Sequence, residues 1–108
     1  MNTSSKKIDR YGSADLAAGG TERPFSKVVR AGDFIYVSGQ VPAVGGEIIA
    51  GGIISQTEQV MKNIIEVLAI ADCQLEDVIK VNCWLDDPRD FTSFNSVFKK
   101  YFSKNPPA

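Results

Sequence analysis

Hydrophobic and polar positions change period several times along the chain, and each change marks an element boundary. Residues 1–23 show neither a two-residue alternation nor a helical period and carry Gly12 and Gly19-Gly20, so they are expected to form an irregular arm. From Lys27 to Ala31, and again from Asp33 to Val41, the apolar content rises, with Gly32-Asp33 between as a tight turn. This predicts an antiparallel hairpin. In its second strand Ile35, Val37, Gly39 and Val41 point one way, and Phe34, Tyr36, Ser38 and Gln40 the other. Pro42, Gly45-Gly46 and Gly51-Gly52 flank Glu47-Ile48-Ile49, a short extended piece in a flexible connector.

Ser55-Gln56-Thr57-Glu58 has the form of a capping box, which predicts a helix starting there. Val60, Met61, Ile64, Ile65, Val67, Leu68 and Ala71 then form a wide apolar stripe that carries the helix to about Ala71. Alternation returns from Val78 to Leu85, with Ile79, Val81, Cys83 and Leu85 on one face and Lys80, Asn82 and Trp84 on the other, as in a third strand. Asp87 as cap and Pro88 in the first turn begin a second helix, whose Phe91, Phe94, Phe98, Tyr101 and Phe102 recur at helical spacing. It ends before Asn105-Pro106-Pro107. The β-β-α-β-α order predicts an α/β (α+β) chain, with both helices on one face of a mixed sheet and a right-handed crossover from the second strand to the third. The opposite face carries Tyr36, Ser38, Lys80, Asn82 and Trp84, a mixture suited to contact with another copy of the chain.

At 108 residues the chain holds one core, and so small a domain leaves much of its surface exposed when alone. Hydrophobic residues at 44% and charged residues at 23% are ordinary for a globular fold. The net charge of -1 gives no broad attraction for phosphate backbones or anionic lipid, which argues against a nucleic-acid partner. No segment approaches the roughly 20 apolar residues of a membrane span, and no apolar run follows Lys6-Lys7, so no membrane partner is expected and the chain is assigned to the cytoplasm. Cys73 and Cys83 lie too far apart for a Cys-x-x-Cys pair and are expected to be buried free thiols. Histidine is absent, which removes the Ser-His-Asp and Cys-His dyads, the usual zinc and iron ligand sets and the commonest general base. No metal is expected.

Val37-Ser38-Gly39-Gln40 is the most informative stretch. At a strand end, a serine hydroxyl and an unobstructed glycine N–H can both meet a small carboxylate. A strand simply ending before Pro42 accounts for the same residues, and on the residues alone it is the simpler reading. Lys27, Arg30 and Lys80 read as solvated surface, and Asp87 as a helix cap rather than one of a catalytic pair with Asp86.

Pro24-Phe25-Ser26 and the run Val29-Arg30-Ala31-Gly32-Asp33-Phe34-Ile35-Tyr36-Val37-Ser38-Gly39-Gln40-Val41-Pro42 together resemble the Rid family, the reactive-intermediate enamine/imine deaminases. The resemblance continues through Gln56-Thr57-Glu58-Gln59-Val60-Met61-Lys62-Asn63-Ile64, Asp77-Val78-Ile79-Lys80-Val81, Phe91-Thr92-Ser93-Phe94-Asn95 and Pro106-Pro107-Ala108. It makes residues 24–108 a single domain in register with the family. It implies a chorismate-mutase-like fold, a homotrimer with pockets at its interfaces, and hydrolysis of 2-enamine or 2-imine acids to 2-keto acids and ammonia without cofactor or metal. It marks Phe25, Ser38, Gly39 and Asn95 as substrate-binding. Phe25 stands where many members have tyrosine, so the apolar wall stays and the hydroxyl is lost. Asn95 is expected to tie the second helix to the pocket wall.

The resemblance also places a carboxylate-binding arginine directly after Pro-Pro-Ala and a water-positioning glutamate near the family's C-terminus. Both would lie beyond Ala108. The chain is expected to continue past it, because a sheet without its last strands exposes unpaired edges. Other activities implied are a catalytically silent trimer that binds or senses a small ligand, a catabolic deaminase of the 2-aminomuconate type, and a ribonuclease or translation inhibitor. The acidic balance argues against the last.

Overall fold

The computed structural model describes residues 7–13 and 23–108. Strands β2 (Ser26–Ala31) and β3 (Phe34–Val37) form the predicted antiparallel hairpin, with Ala31 opposite Phe34. Gly32 sits in the two-residue turn at φ 61°. A mirror-image hairpin turn with glycine at its first central position matches the twist of the strands. The ladder stops at Val37, short of the predicted Val41, apart from one further bond from Ser38 N–H to the Lys27 carbonyl. Gly39 weakens a strand and Pro42 has no donor, so the pairing runs out there.

Residues 8–13 correct the expectation of an irregular arm. They form strand β1 (Ile8–Ser13), antiparallel to β2, with Ile8 opposite Ala31 and Ser13 opposite Ser26. Its alternation is too short to read, because Gly12 at φ 64° interrupts it after four residues. The remainder of the predicted arm, residues 1–6 and 14–22, lies outside the described residues, Lys7 and Arg23 excepted. The connector is also more ordered than expected. Strands β4 (Ala43–Val44) and β5 (Glu47–Ile48) make a miniature hairpin around Gly45-Gly46, both at positive φ as a type I′ turn requires.

Helix α1 (Ile53–Ile70) begins two residues before the predicted capping box, which does not form. Extended Gly52 is the N-cap, and its carbonyl accepts from Gln56 N–H. The buried Thr57 hydroxyl turns back to the Ile53 carbonyl at 2.7 Å. At the other end Asp72, at φ 57°, closes the helix as Asp72 N–H and Cys73 N–H reach the carbonyls of Ala69 and Leu68. Val67 and Ala71 bury Val28 of β2, with Tyr11, Ile35, Val37 and Cys73 packed around them.

Asp87 starts the second helical segment as predicted. Its carboxylate accepts from Arg89 N–H and closes a single 3-10 turn, Pro88–Asp90, before helix α2 (Phe91–Tyr101). The Arg89 guanidinium grips the same carboxylate and holds it below the usual carboxylate range. This is the chemistry of a cap, not of an acid-base pair. Phe98 stacks on Phe94 with ring centroids 5.4 Å apart and meets Phe102 at a tilt with centroids 4.8 Å apart. The main contacts of α2 are with α1 and not with the three-stranded sheet.

The third predicted strand is absent as a strand. Among the described residues the backbone of 79–85 pairs with one residue, through Val81 N–H to the Ala108 carbonyl and Ala108 N–H to the Ile79 carbonyl. Alternation supplies a strand's two faces but not its partner, and Ile79 and Trp84 remain 68% and 85% exposed. The sheet formed by β1–β3 is therefore antiparallel throughout, and among the described residues the predicted mixed pairing is represented by the bridge at Ala108. Cys83 is exposed and Cys73 half-buried, which corrects the expectation of two buried thiols. Among the described residues no helix is long and apolar enough to cross a membrane.

Met61 and Val28 are the largest fully buried side chains among the described residues. Met61→Ala should lower the unfolding free energy by about 2–5 kcal/mol, and Met61→Leu by less than about 1.5 kcal/mol, in urea titrations followed by circular dichroism.

Candidate functional site

Where β3 leaves the ladder, the chain opens a cleft of about 240 Å³ bounded by the end of the β2–β3 hairpin, the β4–β5 hairpin and α1. Phe25, Ser38 and Gly39, three of the residues singled out from the sequence, line it together. Phe25, 47% exposed, offers a ring face at the rim. The Ser38 hydroxyl has a partner within the protein. It and the Ser38 N–H both donate to the Lys27 carbonyl at 3.0 Å, so the hydroxyl proton is already used. Gln40 Nε2 then donates to the Ser38 carbonyl at 3.0 Å. The serine locks the strand end in place.

Gly39 differs. Its N–H has no hydrogen-bond partner among the described residues, and in an antiparallel ladder the residue after a hydrogen-bonded one directs its N–H away from the neighbouring strand. It remains available to a ligand. Open space surrounds the position that a Cβ would take, so an added methyl would meet no protein atom.

Asn63 holds the far side of the cleft. Its Nδ2 donates to the carbonyls of Val41 and Ala43, both at 3.0 Å, and its Oδ1 accepts from Gln59 Nε2 at 2.9 Å. Every group of the amide except part of the oxygen's capacity is thereby used, and the chain between β3 and β4 is fixed to α1. The sequence signal for this is two amides four residues apart on one helix face, which is visible but shared with many solvated helices.

Charge in the cleft comes from Arg23, Lys27 and Glu66. Arg23 was not singled out from the sequence, since it lies at the end of a stretch with no period. Its Nε is buried and has no hydrogen-bond partner among the described residues. Asn95 is exposed on α2 and does not line the cleft, so within this chain it is not brought to Phe25, Ser38 and Gly39. No three His, Cys, Asp or Glu side chains among the described residues come together as a metal-ligand set.

Residues 16–108 match the family model described as Endoribonuclease L-PSP, whose members include the Rid proteins. The chain belongs to this family. A RutC family protein of Pyrococcus horikoshii is 42% identical over 87 residues, which make up 79% of this Rid chain and 69% of the relative. Human 2-iminobutanoate/2-iminopropanoate deaminase is 36% identical over 93 residues, 84% of this chain and 68% of the relative. The crystal structure of yeast Mmf1 matches with a TM-score of 0.83 at 33% identity, covering 94% of this chain and 81% of that one. The fold is thus the α+β, chorismate-mutase-like fold of the Rid family.

Asn63→Ala should free the chain from Val41 to Glu47. We expect a loss of about 1–3 kcal/mol in stability and faster amide exchange confined to these residues. Unchanged exchange there would show that Asn63 does not hold the rim.

Proposed function

We propose that the protein hydrolyses reactive 2-enamine and 2-imine acids to 2-keto acids and ammonia, in clefts completed by neighbouring copies of a homotrimer. The observation that carries this reading is the 36% identity to the human imine deaminase over a stretch that includes the whole cleft. Phe25, Ser38, Gly39 and Asn95 are its proposed substrate-binding residues, Asn95 from across a subunit contact.

The chemistry asks little of the protein. The enamine takes a proton on carbon to become the imine, water adds to the C=N carbon, and the resulting carbinolamine expels ammonia and leaves the keto acid. The substrate is already electrophilic, so orientation supplies most of the catalysis. Gly39 N–H would hold an oxygen of the substrate, Phe25 would cover its apolar side chain, and the Ser38–Lys27 bonds would keep both in register. Support for the assembly comes from the outer face of β3, where Phe34 and Tyr36 are exposed side by side, and from exposed Ile79 and Trp84.

Imines released from alanine or 2-aminobutanoate by an amino-acid oxidase should lose ammonia faster with the protein than in buffer, with the keto acid as readout. No acceleration overturns the reading, and binding of keto acids without turnover would favour a silent ligand sensor. Sedimentation should give three times the subunit mass. Tyr36→Glu should shift the protein towards monomers and lower activity in parallel, whereas full activity in a monomer would exclude shared clefts.

A further inference from the structure

Arg23 brings to the cleft a positive charge that the proposed reaction does not use. The carboxylate common to all 2-imino acids is assigned to an arginine expected beyond Ala108, so for a substrate with one acidic group a further cation is surplus. No described residue takes up the charge. Arg23 is half-buried, makes no ion pair among the described residues, and has no hydrogen-bond partner there for its buried Nε. A buried guanidinium donor without an acceptor is rare in folded proteins, because the lost hydration is not replaced. Glu66, the carboxylate that lines the same cleft, is exposed on α1 and unpaired with Arg23, so water screens it.

The backbone decides which end of a substrate Arg23 serves. The Arg23 carbonyl accepts from Phe25 N–H at 2.9 Å, so one tight turn across Pro24 carries both residues. Phe25 is the wall proposed to cover the substrate's side chain, and a cation tied to that wall belongs to the side-chain end. From this we infer that Arg23 is a specificity-determining binding residue, which pairs with a second carboxylate at the far end of a dicarboxylic 2-imino acid. The guanidinium fork matches a planar carboxylate through charge-assisted bonds, while Phe25 lies against the methylenes between the two acid groups. The inference deepens the deaminase reading and rests on it for the class of ligand.

The test compares 2-oxoglutarate, a keto acid with a second carboxylate, with 2-oxohexanoate, whose side chain has the same length and no charge. Calorimetric or NMR titration of the intact protein should show 2-oxoglutarate binding more tightly, on the order of tenfold. Arg23→Gln should bring the ratio close to one, and Arg23→Lys should restore part of it, with thermal melts establishing that each variant is folded. Imines released by an amino-acid oxidase from glutamate and from norleucine should show the same preference in kcat/KM. Equal affinity of the parent protein for the two keto acids overturns the inference, as does a ratio unchanged in folded Arg23→Gln or the absence of keto-acid binding. Hydrolysis of the alanine imine without an Arg23-dependent preference would sink the inference and keep the deaminase reading. An Arg23-dependent binding ratio without hydrolysis of any imine would do the reverse, and leave Arg23 as the selector of a dicarboxylate-binding protein.

Discussion

Val28 has no exposed surface, and its burial under Val67 and Ala71 orients the rest of the molecule. Val28 sits on β2, the central strand, so the helix that covers it must lie over the middle of the sheet. Ala71, the C-cap of α1, and Val67, Asn63 and Gln59 within it follow one another at intervals of four and form a single ridge. The first two are apolar and lie on the sheet. The second two are amides and meet the loop beyond it. The ridge changes character where the strand pairing ends, and the same helix that seals the core therefore also fixes the rim of the cleft. Rigid attachment matters here, because a site built on loops is only as well placed as the elements behind it.

The other constraint is what the chain leaves open. Period-two patterning along β3 and along 78–85 puts aromatic and apolar groups on surfaces that nothing among the described residues covers: Phe34 and Tyr36 on one face of β3, and Ile79 and Trp84 on opposite faces of 78–85. Such faces are stable in water when another surface meets them, and backbone between 82 and 85 has the same need for partners. The proposed subunit contact rests on these exposed faces. This supports a shared cleft more directly than the composition does.

Where the period is long, as in α1 and α2, the sequence already tells the element and its inner face. Short signals failed for physical reasons. Gly12 cuts the alternation of β1 to four residues, and Ser55-Gln56-Thr57-Glu58 matches a capping box by residue type although Thr57 spends its hydroxyl on Ile53. The alternation from Val78 to Leu85 is real, but a strand is a property of a pair and the second member is Ala108 alone among the described residues. For the cleft, the strand end at Ser38-Gly39 and the aromatic at Phe25 stood out. Asn63 was visible only as part of a motif. Arg23 carried no signal, since one arginine before a proline resembles any surface residue until its Nε is seen buried.

Ser38 and Gly39 are adjacent at the strand end, yet the strand geometry treats their donors differently. Serine was expected to face the ligand because a hydroxyl can donate, yet the hydroxyl has a nearer acceptor in the Lys27 carbonyl, which the hairpin brings within 3.0 Å. A donor satisfied inside the protein gains little by turning to a ligand, because one bond is exchanged for another. The glycine N–H has no such alternative, since the ladder's alternation points it away from β2. The division follows from strand geometry alone: the residue that closes the ladder is held by its neighbour, and the next one is released. That release is what the proposed substrate-binding role of Gly39 rests on.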